Sequence, residues 1–361
     1  MGVFDFLKGK SKSKPSEIMR RLAAELKDLK PATSAEGSPL SVSDEECNEL
    51  ETYLAASCAG VTANVYIKTQ PKPEEIDKCL CVAQQTDLMI HVSHTIAQLA
   101  PETRRIVCAI WGYLLKMEDP KSFQRPMVEY LIKHTQAVDA LIKAYGKNSG
   151  RADVTIGVMI RDAMRFTKIV EYICKNCLVF SFFPVLSSAN FDVSSDAFQT
   201  LKEVLTNHKD VSAPWLSKNF DRFFSEYMNL LKDGVNADYV IVRQSLAILS
   251  GVLLDRQFMD TMIQFVNRDA YLKPILVLLG NQSKVVQFEA FHIFKIFAAN
   301  PNKPLKVSKI LNQNHERIIK LLNQIEQDRL DDNEFRQDKN AVVAKLEALE
   351  KKIKVEPKQP A

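Results

Sequence analysis

Apolar residues recur at three- and four-residue intervals along most of this 361-residue chain, the spacing that lines one side of an α-helix. The densest case is Lys284 to Lys303, KVVQFEAFHIFKIFAANPNK, which stops at a turn-forming Asn-Pro-Asn. At about 100° per residue Val286, Ala290, Ile293 and Phe297 fall together, with Phe294 beside them, and make a core face. The opposite side alternates polar heads with rings: Lys284, Gln287, Phe288, Phe291, His292 and Lys295. A solvated face rarely carries two Phe, so this side is expected to be offered to a partner. Packing against the next helix of the same chain is the alternative.

The same rhythm organises the rest. Residues 1–14, with Lys8, Lys10, Lys12 and Lys14, read as a basic tail. Pro15 opens a helix that keeps Ile18, Leu22, Leu26 and Leu29 on one stripe before Pro31. The stretch 31–44, PATSAEGSPLSVSD, has no periodicity and reads as a mobile linker. A helix restarts at Asp44 and runs to Ala59, its acidic first turn suited to the positive end of the helix dipole. Pro71 to Met117 predicts two or three short helices with Pro101 at a first helical position. A single helix is expected from Pro126 to Tyr145, closed by the Gly146 to Gly150 region.

Beyond Gly150 four helix candidates carry an equivalent apolar frame: Ile160-Ala163-Met164, Leu201-Val204-Leu205, Leu249-Val252-Leu253 and Phe294-Phe297-Ala298. Their spacing of roughly 40 to 50 residues is that of armadillo or HEAT units. Partner helices are expected around Phe220 to Leu231, Asp260 to Val266 and Tyr271 to Gly280. Asp210 to Trp215 and Lys232 to Asn236 supply breaks. After Pro304 two more helices are expected, ending in the charged run Asp331 to Lys354 with a thin stripe of Leu346, Leu349 and Ile353. The pattern therefore predicts an all-α, right-handed armadillo/HEAT-like solenoid. Its helical-repeat domain spans 15–340, followed at 341–361 by a charged helix end and a disordered tail.

Composition agrees. Only 11 glycines are present, against about 25 at a typical ~7% usage. Hydrophobic residues make up 46% and charged ones 25%, as in an ordinary soluble protein. A net charge of +4 singles out neither nucleic acid nor membrane as a partner. The seven cysteines, Cys47, Cys58, Cys79, Cys81, Cys108, Cys174 and Cys177, are irregularly spaced in apolar helical contexts and are expected to be reduced core residues of a cytoplasmic protein. The start MGVFDFLKGKSKSK lacks the apolar segment of a signal peptide, and no apolar run is long enough to span a bilayer. Phe6 stands where an N-myristoylation motif wants Ser or Thr.

Candidate chemistry is thin. Cys79-Leu-Cys81 followed by His91-Val-Ser-His94 has spacings too short for a zinc finger. Cys174-Lys-Asn-Cys177 has the spacing of a redox dithiol but lies late in a helical run. Asp328, Asp331, Asp332 and Glu334 cluster as a solvated helix start does. No phosphate loop, dinucleotide fingerprint, zinc-protease pair, nucleophile elbow or calcium loop occurs, and the repeat frames carry no recurring base-reading set. The residues point to a non-enzymatic protein with no cofactor and no nucleic-acid partner. A cryptic hydrolase or redox enzyme rests on Cys174 and Cys177 alone.

Several longer stretches are specific: Phe191-Asp-Val-Ser-Ser-Asp-Ala-Phe198, Asp221-Arg-Phe-Phe-Ser-Glu-Tyr227, Arg243-Gln-Ser-Leu246, Leu253-Leu-Asp-Arg256, and Gln287 to His292 through Ala299-Asn-Pro-Asn-Lys303. In these the chain resembles the mouse protein 25 family, also called calcium-binding protein 39. The resemblance is strong over roughly 150 to 340, whereas the N-terminal third with its extra linker departs from the family. It implies a non-enzymatic helical scaffold that binds sterile-twenty-type kinases or pseudokinases and holds them in an active-like conformation, with a third kinase in a ternary complex. Carried onto this chain, the concave-face contacts are Phe191, Tyr239 and Arg243. The resemblance also implies a C-terminal pocket for a Trp-Glu-Phe tail, here Arg256, Met259, Leu276, Gln313 and Arg317. Met259 stands where the family has Phe and Gln313 replaces a Lys, so that either Arg317, one helical turn on, takes over that charge or the partner's tail has a changed sequence. The alternative is a helical-repeat scaffold of a morphogenesis or cytoskeletal complex without kinase activation.

Overall fold

The computed structural model describes residues 13–29, 40–59, 71–148, 150–232, 238–327 and 332–355. Among these there are twenty α-helices and no β-strand. The basic tail, most of the expected linker, the break after Lys232, Asp328, Asp331 and the end of the C-terminal tail lie outside the described residues. The chain divides into two compact units, Met1–Thr200 and Leu201–Ala361.

The first unit holds α1 (Pro15–Asp28), α2 (Asp44–Ala59), α3 (Pro73–Gln85), α4 (Leu88–Thr95), α5 (Pro101–Lys116), α6 (Pro126–Lys133), α7 (Gln136–Ala144), α8 (Arg151–Met164), α9 (Thr167–Lys175), α10 (Phe183–Leu186) and the start of α11 (Phe191–Thr206). Proline opens α1, α3, α5 and α6, where its missing N–H would have no helical partner anyway. The stripe of α1 is buried at Ile18, Leu22 and Leu26, and Ser16 Oγ donates to Glu75 of α3 at 2.6 Å. The end of the linker is tied back to α1, since Glu25 accepts from the Ser41 amide at 2.7 Å. The helices α2, α5 and α8 stack in succession, and Trp111 Nε1 of α5 donates to the Met159 carbonyl of α8 at 3.1 Å.

One buried ionic network sits in this unit. Arg161 of α8 pairs with Asp196 of α11 at 2.6 Å and donates to Thr200 Oγ1 at 2.7 Å, while Tyr145 OH donates to the other Asp196 oxygen at 2.5 Å. Gly157 makes room for it: a Cβ there would collide with the Asp196 carboxylate. The expected single helix from Pro126 to Tyr145 is two helices. Its stripe places His134 where an unbroken helix would bury it. The break instead leaves that ring half-buried and stacked on Tyr130, centroids 4.3 Å apart.

The second unit continues with the remainder of α11, then α12 (Lys209–Lys218), α13 (Phe220–Tyr227), α14 (Tyr239–Leu253), α15 (Met259–Val266), α16 (Asp269–Leu279), α17 (Lys284–Ala299), α18 (Leu305–Gln313), α19 (His315–Gln327) and α20 (Asn333–Val355). Here α14, α17 and α20 stack in succession, with α16 beside α17. All four apolar frames are buried. They fall on α8, α11, α14 and α17, every third helix, so the repeat is a three-helix unit. An aromatic cluster fills the core of this second unit, with Phe265 lying 5.1 Å from Phe224, 4.9 Å from Tyr271 and 5.6 Å from Phe297 between ring centroids.

Three expectations fail here. Asp210 to Trp215 is not a break, because α12 runs through Pro214. Proline inside a helix costs about 3 kcal/mol, and burial of the neighbouring Trp215 and Leu216 offsets it at about 2 to 3 kcal/mol each. Three helices, not two, follow Pro304, and the last crosses residue 340 without a break. Finally, the second face of α17 is covered by this chain itself. Phe291 is fully buried, its ring 4.7 Å and that of Phe288 5.9 Å from Phe335 of α20, and Lys295 pairs with Asp338 at 2.6 Å.

Candidate functional site

The start of α14 is fixed by Asp238, whose carboxylate accepts from the Val240 amide at 2.8 Å, a capping contact that sets which residues turn outward. Val242, Leu246, Leu249, Val252 and Leu253 then face the core. Four-residue steps along the other side give Tyr239, Arg243, Ala247 and Gly251, all exposed, with Leu254 just beyond the helix exposed too. Tyr239 keeps 46% of its surface in water. Arg243 is exposed, and among the described residues no hydrogen bond or ion pair engages its guanidinium. A Cβ on Gly251 would meet nothing, so the far end of the stripe is open. An aromatic ring and an uncommitted forked donor thus share one helix face beside small residues, which gives a partner both apolar area and a site for a carboxylate or carbonyls.

Phe191 lies in the first unit as the first residue of α11. Asn190 caps that helix by accepting from the Asp192 and Val193 amides at 3.0 and 3.2 Å. The ring is 62% exposed, so it does not staple its own helix. A large apolar side chain held outward by a capped helix start has the form of a binding anchor.

The residues assigned to the C-terminal pocket are spread over the second unit. Arg256 lies in a 3-10 turn whose cap, Asp255, accepts from the Gln257 amide at 2.9 Å and pairs with Lys209 at 2.5 Å. Lys209 and the Gln257 amide hold the Asp255 carboxyl below its ordinary range. Met259 follows at the head of α15 and is exposed. Leu276 is half-buried on α16, which packs on α15 and α18. Gln313 and Arg317 are both exposed, but the helix breaks at Asn314. They therefore lie on different helices, and the one-turn relation expected between them does not hold. A cleft of about 630 Å³ opens along α19 and α20, lined by His315, Glu316, Ile319, Lys320, Asn323, Gln324 and Glu347. None of the five assigned residues lines it.

Sequence reasoning missed the rest of the exposed apolar surface near these positions. Ile263 lies one turn past Met259, and Val277 adjoins Leu276; both are exposed. The four-residue step from Met259 to Ile263, like that from Tyr239 through Gly251, was a legible signal.

One member of each cysteine pair is buried, Cys79 and Cys174. Burial pushes the Cys79 and Cys174 thiols up to about 12, which holds them as neutral thiols and not as the thiolates that ligate or attack. Cys81 is exposed, and all seven cysteines are unpaired. Among the described residues no three His, Cys, Asp or Glu side chains converge as a metal site, and no single helix is long and apolar enough to cross a membrane.

A family model described as Mo25-like matches residues 5–350. The likeness therefore extends through the N-terminal third, which the motifs alone had left out. A Mo25-like protein of Schizosaccharomyces pombe is 31% identical over 305 residues, covering 84% of this chain and 89% of its own. A calcium-binding protein 39-like protein of Mus musculus is 29% identical over 282 residues, covering 78% and 82%. The conidiophore development protein hymA of Emericella nidulans is 27% identical over 385 aligned positions, covering 99% and 96%. With the family model matching over nearly its whole length, this chain belongs to the Mo25-like family.

Proposed function

We propose that this protein is a non-enzymatic scaffold that binds a sterile-twenty-type kinase or pseudokinase and biases it toward its active conformation. The observation that carries the reading is the outward stripe of α14, where Tyr239 and Arg243 are exposed, one turn apart and uncommitted within the described chain. Phe191 supplies a further aromatic contact from the first unit. A scaffold shifts its partner's equilibrium only by its differential affinity for the two states, about 1.4 kcal/mol per tenfold. Rigidly packed helices suit that task, because their surface does not reshape itself to the inactive form. Arg256, Met259, Leu276, Gln313 and Arg317 are the proposed contacts for an aromatic-acidic peptide tail.

The test is titration of the purified chain against a sterile-twenty-type kinase domain, reading both binding and phosphotransfer. The proposal expects saturable binding with a raised rate. Binding with no change in rate would favour the second reading, a scaffold of a morphogenesis assembly without kinase activation, which the conidiophore development relative supports. No binding would contradict the kinase reading.

A further inference from the structure

Phe191 leaves 62% of its surface in water, so the ring has little packing of its own and its place is set by where α11 lies. The cap at Asn190 fixes where that helix begins. Ser194 Oγ donates to the Leu186 carbonyl at 2.7 Å, a bond to the chain just ahead that moves with the helix. Val193, Ala197 and Phe198 are buried, but apolar contact is non-directional and tolerates small shifts by repacking. None of these contacts says how far α11 sits along α8.

Polar contacts do. Asn190 Nδ2 lies 3.0 Å from where a Cβ on Gly150 would be, the Asp196 carboxylate lies against Gly157, and Arg161 reaches Thr200. The three pairs step along both helices in the same direction, so α8 and α11 run side by side and parallel. At the centre Arg161 holds the Asp196 carboxylate at 2.6 Å and donates to the Asp196 carbonyl at 3.2 Å, while Tyr145, just past α7, holds the other carboxylate oxygen. Burial, then the charge of Asp196, raises the Tyr145 pKa, which keeps its hydroxyl a donor. A slip of one residue would advance α11 by about 1.5 Å and turn it by about 100°, carrying Asp196 off Arg161 and turning Phe191 with it. Stability alone does not call for this pair, since well-packed apolar residues of like volume are often as stable in its place.

We propose that the network of Arg161, Asp196, Tyr145 and Thr200 is a register lock, which sets the height and rotation of α11 on α8 and thereby aims Phe191 at its partner. Asp196 follows Phe191 by five residues, about 7.5 Å along the helix, near enough to govern the ring. Burial keeps Arg161 and Asp196 themselves from touching a partner, so both are positioning residues. That the ring meets a kinase rests on the function proposed above; the lock itself does not.

The full chain is compared as parent, as Arg161→Met with Asp196→Asn, and as Leu22→Ala, a core variant on α1 that lowers Tm with the network intact. Nitroxide-bearing residues at the exposed positions Lys168 of α9 and Asp192 of α11 report the placement of the helix by pulsed dipolar spectroscopy. The parent and Leu22→Ala should give one narrow distance and the double variant a displaced or broadened one. Thr200→Val, a milder break that removes one hydroxyl from Arg161, should show the same change in smaller measure. The same distance in every chain would overturn the lock, whatever the partner. Titrated against the sterile-twenty-type kinase domain, the double variant should bind about tenfold more weakly than the parent, and Leu22→Ala as the parent does. An equal loss in Leu22→Ala would assign the effect to stability and overturn the positioning role. Phe191→Ala should cost about tenfold in the parent but less than about twofold in the double variant, where the ring is already misplaced. Equal costs in both backgrounds would make the network structural only. No cost in the parent would contradict Phe191 as a contact, and with it the aiming role, while the measured distances still decide the lock.

Discussion

Phe291 on α17 and Phe335 on α20 meet edge to face, their ring centroids 4.7 Å apart at 61°. The contact buries the second apolar side of α17, where Phe291 is fully buried, as a stacked helical layer requires. Phe335→Ala should therefore cost about 3 to 5 kcal/mol, read by urea denaturation of the full chain. A double-mutant cycle with Phe291→Ala should return a coupling of about 0.5 to 1.5 kcal/mol. A Phe335→Ala chain as stable as the parent would show that α20 does not hold that side of α17.

Phe294 tests the repeat register. It is fully buried on the core side of α17, so Phe294→Ala should cost about 3 to 5 kcal/mol through the cavity it leaves. Val285, exposed near the start of the same helix, is the control; Val285→Ala should change stability by less than about 0.5 kcal/mol.

The network of Arg161, Asp196, Tyr145 and Thr200 should respond asymmetrically. Arg161→Met removes the cation from the buried Asp196 carboxylate and leaves it the Tyr145 hydroxyl as a donor, at a cost of about 3 to 5 kcal/mol. Replacing both ionic partners, Arg161→Met with Asp196→Asn, should recover much of that loss. Equal losses in the single and double variants would mean that the pair is not the unit that matters.

His292 gives a pH dependence. Its ring lies 4.4 Å from the Phe288 ring, and its Nδ1 is buried with no hydrogen-bond partner among the described residues. Burial, then the charge of Lys295, lowers its pKa, against the opposite pull of Glu289, Asp338 and Glu334. A histidine whose folded pKa is depressed contributes stability that is fully present above its unfolded value of about 6.5 and is lost as pH falls below it toward the folded value. Tm should therefore fall between about pH 7 and pH 5, and His292→Gln should flatten that slope. An identical slope in the variant would place the effect elsewhere.

The fold was legible because periodicity reports burial directly. Ile160, Leu201, Leu249 and Phe294 share a frame, and every one is buried. Periodicity cannot say what covers a second apolar face. Phe288 and Phe291 looked like a partner surface because their cover, Phe335, lies far along the chain in a helix with only a thin stripe. Nor does it register a break at a stripe position filled by His134, or a proline carried within α12 by the burial of Trp215. Tyr239 and Arg243 were carried by the family resemblance, with Val242 marking the buried side opposite Arg243, whereas the proposed relay from Gln313 to Arg317 assumed an unbroken helix that Asn314 ends.

Arg243→Ala tests the central claim most directly, because the side chain is exposed and, among the described residues, uncommitted, while its helix is anchored from the other side. The variant should melt as the parent does, with stability changed by less than about 0.5 kcal/mol. Titrated against a sterile-twenty-type kinase domain bound by the parent chain, it should lose about 2 kcal/mol of affinity, roughly thirtyfold. Unchanged affinity at unchanged stability would leave Arg243 a solvated cation and contradict the assignment of the α14 stripe as the kinase-binding surface.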